Sequence, residues 1–199
     1  MPMTPPSRFS RIPKRQVWPC LATVAILVWM VLQLRYQGRT WFCSCGQLLV
    51  WSGNVWSRHN SQHLLDPYSC THLLHGIVFC GLVLCTAPRL SPSWRFFLAM
   101  SIECLWEVLE NTTLVIDRYR ATTAAVGYEG DSVVNSLGDV LCCAGGFLIA
   151  RRLGWVGSIG LFVLMEIVLL FWIRDNLTLN VIMLVFPIDA LKTWQTGVP

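Results

Sequence analysis

From Val17 to Leu34 the chain runs for 18 residues without a charge. As a helix rising about 1.5 Å per residue, such a run nearly spans the roughly 30 Å hydrocarbon core of a bilayer. Four further stretches have similar length and character: Ser69–Ala87, Ser93–Thr113, Val133–Ala150 and Trp155–Ile173. Turn signals separate them at Pro88–Ser93 and Arg151–Gly154. Trp18, Trp94, Trp155 and Trp172 fall at the expected ends, where indole rings settle at membrane–water boundaries. The last apolar stretch, Leu177–Phe186, is too short to span and stops at Pro187. It reads as an interfacial or re-entrant segment.

Composition agrees. Only 13% of the 199 residues are charged and 54% are hydrophobic, against about 25% charged in a soluble domain. That excludes a water-facing globular surface and long disorder. The net charge of +4 is spread too thinly to mark a nucleic-acid partner. The expected fold is therefore all-α: a polytopic membrane helical bundle of about five transmembrane helices plus the short C-terminal segment. Residues 1–16, rich in Pro, Arg and Lys, read as a disordered cytoplasmic tail. Residues 17–199 read as one integral-membrane domain. No small-x-small cleavage site follows Leu34, so the first helix is expected to be retained.

With the N-terminus inside, the segments Tyr36–Tyr68, Asn111–Ser132 and the tail after Arg174 lie outside. Apart from the N-terminal tail, Lys and Arg counts do not favour this orientation. Parity alone puts the three long polar segments on one side.

The scarce charges are not scattered. Glu103, Glu107 and Glu110 follow i, i+4, i+7 spacing and share one helical face. Asp131, Asn135 and Asp139 form a second stripe, and His72 and His75 share a face of a third helix. Counted from the outer ends, His72, His75, Glu103, Glu107, Asn135 and Asp139 lie within roughly 4–12 Å of the surface. A charged group at depth costs at least a few kcal/mol unless it is paired or lines a wet cavity. One outward-opening polar cavity between these helices is the simplest arrangement. His72, His75 and Asp139 are candidate ligands for a divalent metal ion. Glu107 and Glu103 are candidate catalytic groups. Arg118, Arg120 and Arg174 offer guanidinium forks for a lipid phosphate, with Asn135 and Asn111 as further headgroup contacts. Plainer roles stand beside each of these. The histidines can pack helices, the glutamates can pair with Arg118 and Arg120, and Asp131 can belong to a helix cap. Glu166 reads as a packing partner or cavity wall. Gly138, Gly145 and Gly146 would let helices approach closely.

Cys20, Cys80, Cys85, Cys104, Cys142 and Cys143 fall in apolar spans and act as small hydrophobes. Cys43 and Cys45, on the outer side, could pair with another thiol or bind metal. A bond between these two would close a very tight ring.

Several blocks occur together and in order: Cys43-x-Cys45-Gly46, Asn60-Ser-Gln-His63, His72-x-x-His75-Gly76, Glu103-x-x-Trp-Glu-x-x-Glu-Asn111, Arg118-Tyr-Arg-Ala121, Gly130-Asp-Ser-Val-x-Asn-Ser136 and Arg174-Asp-Asn-Leu-Thr-Leu-Asn-Val181. Over about residues 41–195 the chain resembles a domain-of-unknown-function family of multi-pass inner-membrane proteins, mostly alphaproteobacterial. That resemblance implies a bacterial multi-pass membrane protein and brings no activity, substrate or catalytic residue. A fainter likeness, in pattern only, is to VanZ-like membrane proteins. Three functional readings follow. The cavity holds a lipid headgroup or partner segment in envelope maintenance; it is a metal-dependent hydrolase or transferase on a lipid or lipid-linked phosphate; or it relays protons in a small transporter. The oligomeric state is open.

Overall fold

The structure is a computed structural model and describes residues 14–123 and 127–197. Among them the regular elements are seven helices: α1 (Lys14–Tyr36), α2 (Ser69–Thr86), α3 (Pro92–Glu110), α4 (Thr113–Thr122), α5 (Val133–Ile173), α6 (Leu177–Val185) and α7 (Asp189–Thr196). No strand forms among the described residues; Trp51 and Leu65 make one isolated parallel bridge. Most of the N-terminal tail lies outside the described residues, and α1 already begins at Lys14.

Among the described residues, three helices are long and apolar enough to cross a membrane: Val17–Tyr36 of α1, then α2 and α5. α3 falls outside this set because it carries Arg95, Glu103, Glu107 and Glu110. α5 is 41 residues, about 60 Å if straight. It is not straight. Gly154 has φ 68° and ψ −173°, a conformation essentially reserved for glycine, and the helix breaks there. The expected turn over Arg151–Gly154 is thus concentrated in one residue. The two halves run in opposite directions. Asp139, near the start of α5, accepts a hydrogen bond from Ser69 Oγ (2.6 Å), and Asp175, just past its end, accepts one from Tyr68 Oη (3.2 Å). Tyr68 and Ser69, the N-cap and first residue of α2, therefore hold both ends of α5 at one level.

The polar connecting segments meet at this same end, as parity requires. Gln37 Nε2 reaches Val108 O across α1 and α3 (3.0 Å), and Ser132 N donates to Ser61 O (2.9 Å). Asp66 fastens the entry to α2 by accepting from Ser61, Tyr68 and Ser69 backbone N–H groups. α4 arises inside the polar segment after α3, capped by Thr112, whose hydroxyl accepts from Val115 N.

Close helix contact comes from glycine. A Cβ at Gly76 would sit 2.0 Å from Cys143 O, and one at Gly146 would sit 1.9 Å from Leu73 O. Gly138 likewise abuts Leu64 O (1.9 Å), whereas nothing lies within 4 Å of Gly145. The expectation of close packing therefore holds at Gly138 and Gly146 and fails at Gly145. The apolar core lies between α1, α2, α3 and the first half of α5, around Met30, Leu74, Met100 and Phe147.

Burial is inverted relative to a water-soluble protein. Val28, Leu32, Val156 and Phe171 face outward, Val156 at 87% exposure and Phe171 at 83%, while Glu103 and Glu107 are fully buried.

Candidate functional site

The three polar stripes do converge. His72 Nδ1 lies 2.6 Å from Glu103 Oε1, and His75 Nδ1 lies 3.0 Å from Glu103 Oε2. One carboxylate thus holds two imidazoles by the same ring nitrogen. With both Nδ1–H groups donated to Glu103, the Nε2 lone pairs of His72 and His75 are left for other work. Glu103, expected as a catalytic group, is placed as an orienting group with both oxygens engaged. His75 is further fixed by Phe79, stacked at 5.5 Å, and by Trp106, edge-on at 6.0 Å.

Glu107 is one helical turn further on. Its Oε1 is 3.2 Å from His72 Nδ1, but that nitrogen's single hydrogen goes to Glu103. Both Glu107 oxygens are buried without a hydrogen-bond donor. Asp139 Oδ2 is 4.0 Å from His72 Nε2. Donor atoms of His72, Glu107 and Asp139 all lie within 4.8 Å of one another, as do those of Glu107, Glu110 and Asp131. Such nitrogen and carboxylate sets suit a divalent ion.

Beside them lies a cavity of about 490 Å³, which His72, His75, Glu110 and Asp139 line directly. Its polar wall includes Asp131, Tyr119 and Tyr128, and its apolar wall includes Phe79, Leu105 and Trp106. Tyr128 Oη donates to Asp131 Oδ1 (2.9 Å) and Tyr119 Oη to Asn180 Oδ1 (2.8 Å). Burial pushes the Asp131 carboxyl above the ordinary carboxylate range, against the lowering effect of hydrogen bonds from Asn111 and Tyr128. Burial likewise raises Asp66, and Asp175 is pushed up to about 6 for the same reason. Tyr68, Tyr119 and Tyr128 have no regular spacing in the sequence, so no pattern marked them beforehand.

The remaining candidates go elsewhere. Asn111 and Asp131 form a reciprocal pair: Asn111 Nδ2 donates to Asp131 Oδ2 (2.8 Å) and Asp131 N donates to Asn111 Oδ1 (2.7 Å). Asn135 Nδ2 donates to His63 O (2.9 Å), tying α5 to the first long segment. The three arginines do not enter the cavity. Arg118 donates to Leu184 O and Val185 O at the end of α6, Arg120 to Tyr128 O, and Arg174 to Trp194 O. Carbonyls in the last turn of a helix are strong acceptors, and Arg118 and Arg174 satisfy them at α6 and α7, while Arg120 meets a loop carbonyl. Glu166 is no cavity wall: its carboxylate accepts from Leu177 N (2.9 Å) and Thr178 N (3.1 Å), capping α6.

Fold and site together define a class, a helical protein with membrane-compatible helices and an acidic–histidine centre buried at one end. Residues 34–197 match the family model described as a protein of unknown function, DUF2585, and the chain belongs to that family. It is similar to a UPF0314 protein of Rhizobium meliloti (strain 1021), 46% identical over 89% of this chain and 90% of the relative. A UPF0314 protein of Sphingopyxis alaskensis is 43% identical over 89% and 94%, and one of Paracoccus denitrificans is 40% identical over 92% and 95%. No solved structure matches. None of these findings supports the fainter likeness to VanZ-like proteins.

Proposed function

We propose that this is a multi-pass inner-membrane protein that holds the polar head of a membrane lipid in its outward-facing cavity, in a role in envelope maintenance. Five crossings fit the architecture: α1, α2, α3 and the two halves of α5, the halves being about 31 and 28 Å long. The observation that carries the reading is the cavity's polarity. It runs from the polar groups of His72, His75, Glu110, Asp131 and Asp139 to residues such as Val78, Leu105 and Leu109, which are about half exposed on the helix exteriors. An amphipathic molecule matches that gradient, with its head on the carboxylates and its chains left in the bilayer. No Arg or Lys is among the described residues lining the cavity. The head therefore presents amine or hydroxyl donors, or a phosphate bridged by a divalent ion, in place of the arginine-clamped phosphate expected from the sequence.

The test is lipid retention. Wild-type protein purified in mild detergent should carry one lipid class enriched over the bulk membrane. Glu107→Gln and Asp139→Asn should lower that retention about tenfold, the equivalent of 1.4 kcal/mol. Equal retention in all three proteins would overturn the reading.

A second reading rests on Glu107. A carboxylate with two undonated oxygens beside His72 and Asp139 is suited to holding a divalent ion, and the bound water of such an ion can hydrolyse a lipid headgroup ester. Here Asp139 and His72 would be ligands, and His75 would face the substrate. Metal-dependent release of a headgroup by purified protein, absent in His72→Ala, would select this reading over simple binding.

A further inference from the structure

We infer a second, separate centre: a structural zinc site formed by Cys43, Cys45, His59 and His63 in the segment between α1 and α2. One donor atom from each of the four residues lies within 4.8 Å of every other. Cys43 Sγ is 3.5 Å from His59 Nδ1, and His59 Nδ1 is 3.2 Å from His63 Nε2.

These separations match the edges of a zinc tetrahedron. With Zn–S of about 2.3 Å and Zn–N of about 2.05 Å at tetrahedral angles, the S···N edge is about 3.5 Å and the N···N edge about 3.3 Å. The imidazoles follow the H-x3-H spacing common in zinc loops, and the thiols stand closer, with Ser44 alone between them. The sulfurs already receive backbone donors: Cys45 N points to Cys43 Sγ and Gln47 N to Cys45 Sγ, each at 3.4 Å. Amide donors of this kind steady a thiolate, as outer-shell groups do around metal ligands. Four protein ligands leave no open position, which is the signature of a structural rather than a catalytic site.

Cys43 and His63 are buried; Cys45 and His59 are half-buried. Binding releases both thiol protons. Leu49 N donates to His63 Nδ1 (3.2 Å), so a neutral His63 keeps its proton on Nε2. Coordination through Nε2 moves that proton to Nδ1, and Leu49 is where the backbone shifts on loading. The segment so clipped roofs the cavity. Asn60 and Ser61 line it, and Gln62 Nε2 holds Gly130 O (2.8 Å). On the outer side of a membrane the competing fate is oxidation, and bound zinc protects both thiols from it.

The test is metal content of the full chain, purified reduced, in detergent and without chelator. Wild type should carry about one zinc per chain. That zinc should persist in Glu107→Gln, which separates this centre from the cavity. Cys43→Ser and His63→Gln should each lose it. Because either variant could misfold, wild type is also loaded with cobalt. A thiolate-to-cobalt charge-transfer band with intense visible bands reports a four-coordinate sulfur site. Loading should also block alkylation of Cys43 and Cys45. Wild type that binds neither metal, a Cys43→Ser protein with unchanged zinc, or thiols that remain fully alkylatable under zinc would each overturn the inference.

Discussion

At the scale of single residues, the buried acidic–histidine centre sets function against stability. Glu107 is fully buried and its oxygens receive no donor. Leaving a buried acceptor unsatisfied costs about 1–3 kcal/mol, and more for a charge. Glu107→Gln keeps nearly the same shape and replaces one of the two undonated acceptor oxygens with an amide group. It should therefore raise the thermal midpoint in lipid-free detergent while weakening ligand retention, which a melting curve read beside a lipid assay will check. Asp175 gives a pH signature outside the membrane-spanning helices. Its folded-state pKa of about 6 lies above the ordinary carboxylate value because burial disfavours the charge. The folded state then holds this proton more tightly than the unfolded chain. The contribution to stability is complete below about pH 4, declines as pH rises through about 6, and is flat above that. Two units correspond to roughly 3 kcal/mol at most. Asp175→Asn should be more stable than wild type at neutral pH and nearly equal near pH 4, as followed by denaturation across pH. Loss of the difference at neutral pH would show that Asp175 titrates normally.

At the scale of elements, glycine decides the packing. Gly146→Ala drives a methyl group into Leu73 O and should cost about 3 kcal/mol or more. Gly145→Ala meets nothing and should instead gain up to about 1 kcal/mol in helix propensity. Thermal unfolding of this neighbouring pair isolates contact from composition. Gly154→Ala should also destabilise, since no Cβ-bearing residue readily adopts φ 68° with ψ −173°. Elements were legible in the sequence to the extent that they repeat. The 3.6-residue period placed Glu103, Glu107 and Glu110 on one face, and their meeting with His72 and Asp139 followed from depth. The carbonyl partners of the arginines were not legible, because backbone carbonyls leave no trace in a pattern of side chains. Tyr119 and Tyr128 were invisible for a related reason: they reach the site from irregular chain and a short helix. The polar segment holding α4 gave little warning of a helix, although the Thr112 cap was there to be seen.

At the scale of the molecule, the chain's architecture makes orientation a single binary question. The start of α2, the end of α3, and the two ends of α5 all sit on one side with the cavity, held by the Tyr68–Asp175, Ser69–Asp139 and Asn111–Asp131 contacts. The opposite end carries Arg89, Arg95, Arg151 and Arg152 around the turns after α2 and at Gly154. Positive charge favours the cytoplasmic side, and the basic residues of the tail add to that end if α1 crosses. Against this, Arg118, Arg120, Arg174 and Lys192 lie at the cavity end. Their charge is partly committed to carbonyl acceptors, with Lys192 Nζ bonded to Ala121 O (2.6 Å). We therefore predict that the cavity end is periplasmic. An enzyme reporter that works only in the periplasm, fused after Tyr68, should be active, and the same reporter fused in the Pro88–Ser93 turn should be silent. The pair must give opposite answers if α2 crosses once. Activity only at Pro88–Ser93 would place the acidic–histidine cavity on the cytoplasmic side, and the headgroup it meets would then come from the inner leaflet.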